Sequence, residues 1–256
     1  MALAPTAPAR TTAVLDRSWW SWAGPHGGLL ASLLLRAGQD VAGADRRPRA
    51  LTVSFLAPPA EGEVQLAAEV LREGGASSVV RAALHDGRGT AATATLTSAR
   101  HRPTAGGYAA VPAPAVAPPD DCAPLPVPVE LVPFSQHVEY RPATAATPLA
   151  GGDVAELVSW VRLRAGGPLD AAALTVLADV MPPALYATTT VPVPVPTVEL
   201  TVAFTDAEPV TGWALTRIAT RTAADGWCVD DSEVWDPGGR LLVQARQVRR
   251  VLGDLA

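Results

Sequence analysis

Lysine and asparagine are absent from this 256-residue chain, and cysteine occurs only twice, at Cys122 and Cys228. The two cysteines lie far apart and form no CxxC or Cys/His spacing, so the sequence supports neither a zinc site nor a disulfide framework. Arginine, alanine, proline and valine are abundant, a bias typical of GC-rich coding DNA, so arginine in place of lysine need not reflect chemistry. We expect no bound metal and no cofactor.

The chain also has little charge of either sign and no long apolar run. Its 25 acidic residues and 20 arginines give a net charge of −5, and the densest basic group is Arg46, Arg47 and Arg49. A nucleic-acid surface would need a basic stripe, so no nucleic-acid partner is expected. The apolar run at residues 29–35 is too short to span a bilayer and follows no charged segment. We therefore predict a cytoplasmic protein with no membrane partner.

Proline is concentrated in one segment of an otherwise ordinary globular composition. Hydrophobic residues make up 48% of the chain and charged residues 18%, which predicts a folded protein. Nine of the 31 positions from 103 to 133 are proline, which removes backbone donors and favours extended chain. We predict a proline-rich linker over 103–135, between an N-terminal unit over 1–102 and a C-terminal unit over 136–256.

The two units repeat one plan. LTVSF at residues 51–55 recurs as LTVAF at 200–204, four identities in five at an offset of 149. Three runs of alternating apolar residues follow this motif in each unit, at 64–72, 77–86 and 90–100 and at 213–222, 227–236 and 240–251. Gly74-Gly75 and Asp225-Gly226 mark hairpin turns between the first two runs. Each unit is therefore predicted to end in an antiparallel meander.

One apolar segment with helical spacing precedes each meander, at residues 29–37 and 169–177. Pro168 suits a helix N-terminus, and Pro182-Pro183 should stop the second helix soon after Asp179. A helix followed by a long antiparallel sheet, twice, predicts an α+β fold. The predicted arrangement is a double hotdog, in which each of two tandem repeats wraps an antiparallel sheet around a central helix.

Three stretches of the first unit carry a family resemblance: GPHGG at 24–28, RALTVSFLAPP at 49–59 and EVLREG at 69–74. They resemble the acyl-CoA thioesterase II family of double-hotdog enzymes, and the similarity covers roughly residues 15–100 and 150–252. The chain departs from the family at Leu29, where glutamine usually follows the two glycines. The resemblance implies an enzyme of lipid metabolism that hydrolyses acyl-CoA thioesters, and analogy implies a homo-oligomer.

The resemblance also implies the catalytic residues, all in the second unit. The family's helix aspartate matches Asp179, its strand threonine or serine matches Thr197, and its last-strand glutamine matches Gln247. Thioester hydrolysis needs a water, a base and donors for the developing oxyanion. We expect Asp179 to act as the base and Thr197 and Gln247 to hold the same water.

Four residues of the first unit are predicted to bind substrate. Gly27 and Gly28 would offer backbone N–H groups to the thioester oxygen at a helix N-terminus, beside His26. Trp22, with Trp19 and Trp20, would line or cover the acyl cleft. The alternative is a structural role, in which His26 caps the helix and the tryptophans are core or interface residues.

Two other functions stay open at this point. A fold can be retained after its catalytic activity is lost, so a non-catalytic acyl-CoA or acyl-carrier binding protein is the main alternative. A hotdog enoyl hydratase would pair an aspartate with a histidine on the helix, and Asp179 has no histidine near it in the sequence. No Gly-x-Ser-x-Gly elbow and no phosphate-binding glycine loop occur, which disfavours serine hydrolases and nucleotide hydrolysis.

Overall fold

The computed structural model describes residues 8–22, 24–102, 108, 110–205 and 208–254. The parts of the predicted units and linker at 1–7, 23, 103–107, 109, 206–207 and 255–256 lie outside the described residues. The first half contains β1 (Ala9–Leu15), α1 (Gly27–Ala42), β2 (Arg46–Phe55), β3 (Gly62–Glu73), β4 (Ser77–Asp86) and β5 (Gly89–Arg100). The second contains β6 (Val138–Pro142), β7 (Glu156–Leu163), α2 (Ala171–Ala178), β8 (Thr197–Phe204), β9 (Ala214–Ala224), β10 (Trp227–Trp235) and β11 (Leu241–Arg250).

All eleven strands form one sheet, in the order β1-β3-β4-β5-β2-β8-β11-β10-β9-β7-β6. The predicted large antiparallel sheet is therefore confirmed, with strand ends within two residues of the predicted runs. The strands β1, β6 and β7 were not predicted. In β7, five consecutive residues from Leu157 to Val161 are buried, so both faces are covered and the polar alternation is missing.

The repeated motif lies at the centre of the sheet. Strands β2 and β8 pair antiparallel, with Leu51 opposite Val202 and Thr52 opposite Thr201. Thr52 and Thr201 are also the equivalent second positions of LTVSF and LTVAF, and their hydroxyl oxygens lie 3.4 Å apart. Outward from this pair, both halves run in the same order, since β2-β5-β4-β3-β1 on one side matches β8-β11-β10-β9-β7 on the other.

Helix α1 forms because its apolar residues recur at helical spacing and its ends are specified. The His26 side chain accepts a hydrogen bond from Leu29 N at 3.2 Å, and the helix ends at Gly43 with a φ of 99°. Leu30, Leu34 and Leu35 are buried against the sheet. The side of α1 that faces β5 carries Gly38, which lets the two elements approach closely.

Helix α2 is short and apolar on every side, so it is buried almost completely. Its N-cap is Asp170, whose carboxylate accepts from Ala173 N at 2.8 Å, so the helix starts later than the position of Pro168 predicted. It ends at Ala178 with Asp179 as C-cap, as the following prolines predicted. The last turn of α2 packs against the first turn of α1.

Residues 111–117 of the proline-rich segment lie across the second half of the sheet, on the side away from the helices. There Val158, Trp160, Leu215 and Trp235 form a small buried cluster, hereafter the outer cluster, against which Val111, Ala113 and Val116 pack. Trp160 Nε1 donates to Ala117 O at 2.9 Å, and Trp235 Nε1 donates to Val111 O at 3.4 Å. This segment therefore completes a core as well as joining the two halves.

Candidate active site

The candidate site lies where the N-terminus of α1 meets the C-terminus of α2. The two helices come from different halves of the chain, and Gly27 and Gly28 allow them to touch. A Cβ on Gly27 would lie 2.8 Å from Asp179 Oδ2, and a Cβ on Gly28 would lie 3.1 Å from the Cα of Val176. Side chains larger than hydrogen would therefore force the helices apart.

Asp179 is nearly buried, with its side chain 9% exposed, and it points at the start of α1. Its Oδ2 accepts a hydrogen bond of 2.6 Å from Gly28 N. The amide is one of the unpaired N–H groups of the first helical turn, where the helix dipole favours a negative charge. Within the described part of the chain, this is the one hydrogen bond that the carboxylate accepts, so its remaining lone pairs are open to a water.

His26 fixes the helix junction. Its Nδ1 accepts from Leu29 N, so the ring proton is on Nε2, which donates to the Asp179 backbone oxygen at 3.1 Å. Burial lowers the pKa of His26 below its ordinary value, and the Asp179 carboxylate opposes this effect. His26 is therefore neutral, and both of its ring nitrogens are occupied.

Asp179 does have a histidine nearby in the folded protein, contrary to the expectation from the sequence, because His26 Nε2 lies 3.9 Å from Asp179 Oδ2. Sequence distance hid this contact, since the residues are 153 positions apart. The occupied ring nitrogens of His26 leave it no free proton donor or acceptor for a substrate. The pair therefore lacks the free histidine that a hydratase would use.

Thr197 and Gln247 meet on the sheet beneath α2. Thr197 Oγ1 donates to Gln247 Oε1 at 2.9 Å, and Gln247 Nε2 donates to Ala178 O at 3.4 Å. Gln247 is completely buried, whereas Thr197 is partly exposed. The structure thus brings both residues to the end of α2, next to Asp179, although neither hydrogen-bonds to its carboxylate.

Two charged residues beside this group were missed by sequence reasoning. Arg249 is 5% exposed and Asp230 is fully buried, although both lie on the last hairpin of the chain, β10 and β11. Arg249 Nη2 lies 3.8 Å from Asp179 Oδ1, and Arg249 Nε lies 2.9 Å from Asp230 Oδ2. The position of Arg249 two residues after Gln247 on one strand could have indicated a shared face.

Aromatic residues surround the helix junction. Tyr140 OH donates to Val180 O at 3.0 Å, and burial raises the pKa of this phenol above its ordinary value. The ring of Phe134 lies 4.3 Å from that of His26, while Trp19 stacks on His137. Trp22 is 48% exposed at a bend before α1, so its predicted substrate contact stays a prediction.

No group of three or more metal-ligating side chains occurs within the described residues. None of the helices in those residues has the length and apolar character needed to cross a membrane.

Comparisons with solved structures place this fold in a known class. A conserved protein of unknown function with a hotdog fold from Alicyclobacillus acidocaldarius is 26% identical, with a TM-score of 0.87 over 97% of this chain and 96% of that one. A protein of Thermobifida fusca YX described as a candidate thioesterase II is 28% identical, with a TM-score of 0.83 over 96% and 92%. An acyl-CoA thioesterase II of Mycobacterium marinum shares the fold at 18% identity, with a TM-score of 0.72 over 89% of each chain. The chain thus has the hotdog fold of thioesterases.

Family models narrow this class. The acyl-CoA thioesterase N-terminal domain matches residues 16–99, and the acyl-CoA thioesterase C-terminal domain matches residues 119–251, just over half of the chain. The chain therefore belongs to the acyl-CoA thioesterase family, and it is a thioester-hydrolysing enzyme. A search of curated proteins gave no significant match.

Proposed function

We propose that this enzyme hydrolyses acyl-CoA thioesters with one water molecule, which Asp179, Thr197 and Gln247 hold and activate. The observation that carries the proposal is the placement of the Asp179 carboxylate. It is nearly buried and, among the described residues, accepts a hydrogen bond from Gly28 N alone, so it keeps acceptor capacity for a water proton. A carboxylate in this state is a general base poised at the start of a helix.

The reaction follows from these groups. Water donates one hydrogen bond to Asp179, and the Thr197 hydroxyl oxygen accepts the other, since its own proton is committed to Gln247. As the water oxygen bonds to the thioester carbon, Asp179 takes the proton. The tetrahedral oxyanion then collapses, the C–S bond breaks, and the CoA sulfur leaves with the proton that Asp179 returns. The products are a free acid and CoA, and no acyl-enzyme is formed.

The first half contributes the N-terminus of α1 to this site. Gly28 N is engaged by Asp179, so Gly27 N is the amide of this pair left for the thioester oxygen. The predicted substrate contacts of Trp22 and Gly27 stay direct in this proposal, whereas Gly28 takes part by holding Asp179. His26 then acts on the substrate indirectly, because it holds the helix end and the Asp179 backbone.

We also propose that the chain is a double hotdog made by duplication, with repeats over 1–102 and 136–256 and a linker over 103–135. Equal strand order on the two sides of the Thr52–Thr201 pair supports this reading. A cytoplasmic location, a role in lipid metabolism and a homo-oligomeric state stay predictions.

The test is release of CoA thiol from short-, medium- and long-chain acyl-CoAs by the wild type and by Asp179→Asn. The asparagine keeps the shape and can accept from Gly28 N, so we expect a folded variant with kcat lowered by about 10²-fold or more. Asp170→Asn is the matched control, because it changes the same group at the other end of α2 and asparagine caps a helix equally well. Wild-type turnover by Asp179→Asn would refute the base assignment. Absence of turnover by the wild type on every acyl-CoA would refute the substrate class.

A further inference from the structure

Beneath Asp179, the sheet carries a buried ion pair that the proposed reaction does not use. Asp230 on β10 and Gln247 on β11 are direct cross-strand partners, and Arg249 follows two residues later on the same face as Gln247. Asp230 accepts a hydrogen bond from Thr220 Oγ1 at 2.7 Å. Arg249 Nη1 donates to Val195 O at 3.4 Å.

Within the described residues, the remaining atoms of this pair have no hydrogen-bond partner. Arg249 Nε and Asp230 Oδ2 are 2.9 Å apart but off the N–H direction, so they form an ion pair without a proper hydrogen bond. Arg249 Nη2 is also without a partner and lies 3.8 Å from Asp179 Oδ1. Buried polar atoms without hydrogen bonds destabilise a folded protein. Several of them at one place therefore require an explanation.

The charges alternate along this line: Asp230 is negative, Arg249 is positive and Asp179 is negative. Other groups facing Asp179 cannot replace Arg249, because His26 is neutral and the Tyr140 hydroxyl donates to the Val180 backbone. Among the described residues, Arg249 is therefore the one permanent cation within 4 Å of the carboxylate. An opposite charge at this distance attracts the carboxylate and restrains the direction in which it points.

We propose that Arg249, held by Asp230, is a positioning residue that orients the Asp179 carboxylate through an ion pair of opposite charges. The inference rests on the proposed role of Asp179 as base. Asp230 has the supporting role, because it offsets the charge of Arg249 and fixes the direction in which the guanidinium points.

The test is the measurement of kcat and KM for acyl-CoA, together with denaturant unfolding, in the double variant Arg249→Met with Asp230→Asn. Removing both charges avoids leaving one ion buried without its partner, which would endanger folding. We expect kcat to fall about tenfold while KM stays close to the wild type, because the carboxylate loses the charge that orients it. A merely structural role would lower the free energy of unfolding without changing kcat of the folded variant, and that result would overturn the proposal.

The chain offers a matched control on the same two strands. Arg246 pairs with Asp231 at 2.7 Å, and this pair is on the opposite, solvent-facing side of the sheet. The variant Arg246→Met with Asp231→Asn should keep the wild-type kcat. Arg249→Lys, which retains the positive charge, should keep most of the wild-type kcat, and it tests the proposal even where the double variant fails to fold.

The same assay separates this inference from the proposed function. If Asp179→Asn retains wild-type turnover, the base assignment fails and the role of Arg249 fails with it. If Asp179→Asn is inactive but the double variant has the wild-type kcat, only the role of Arg249 and Asp230 is overturned. A kcat of folded Arg249→Lys as low as that of the double variant would also overturn it.

Discussion

Gly28 offers the sharpest test of the helix junction, because its alanine variant adds one methyl group where the helices touch. The new Cβ would lie 2.8 Å from His26 Cε1, 3.1 Å from Asp179 Cβ and 3.1 Å from Val176 Cα. The last two atoms belong to or adjoin the backbone of α2, so they cannot rotate away. The start of α1 must therefore move by several tenths of an ångström.

The size of the effect follows from packing. Overfilling a close-packed contact costs about 1–3 kcal/mol of unfolding free energy. The same shift stretches or tilts the 2.6 Å hydrogen bond from Gly28 N to Asp179 Oδ2. Misplacement of catalytic groups by about 1 Å costs on the order of 10²-fold, so a smaller shift should lower kcat by about ten- to a hundredfold.

The assay is thiol release at saturating acyl-CoA, together with denaturant unfolding of the same samples. Gly38→Ala is the control, because it adds a methyl group to the same helix far from the site. Its Cβ would meet Leu96 Cδ2 at 2.8 Å, the end of a flexible side chain that can turn away. Higher helix propensity, worth about 1 kcal/mol, offsets the strain, so we expect small changes in stability and unchanged kcat.

Wild-type kcat in folded Gly28→Ala would refute the argument that this contact positions Asp179. Equal losses of kcat in both glycine variants would assign the effect to helix packing in general.

Three further outcomes follow from the structure. The pKa of His26 is lowered on folding, so unfolded chains bind the proton more tightly than the native protein. The free energy of unfolding should therefore fall as the pH drops below about 6.5. His26→Gln should flatten that dependence in denaturant titrations at several pH values. Burial raises the pKa of Cys228 to about 11, so a chromogenic disulfide reagent should titrate the partly exposed Cys122 in native protein and both thiols only after unfolding. Trp160→Phe removes the hydrogen bond to Ala117 O and should cost about 1–2 kcal/mol in stability, measured by denaturant unfolding, without changing kcat.

Local patterns in the sequence were sufficient for the secondary structure of each half. Alternating residues predicted six strands because one face of each is buried and the other is polar, and the turn glycines fixed where they end. Alternation of apolar residues did not predict β7, because Val111 and its neighbours in the proline-rich segment cover the second face of that strand. Composition predicted an extended segment there, but not the surface against which it packs.

The family resemblance alone pointed to Asp179, Thr197 and Gln247 as catalytic candidates, and the chemistry of their side chains suggested that they could activate a water. The sequence also determined the order of helix and meander in each half, because periodicity and capping are local properties. Only the tertiary structure decided that Asp179 meets Gly28 and His26, and that Arg249 with Asp230 lies buried beneath it. Periodicity records which face of an element is buried, whereas the partner on that face is set by how distant elements pack.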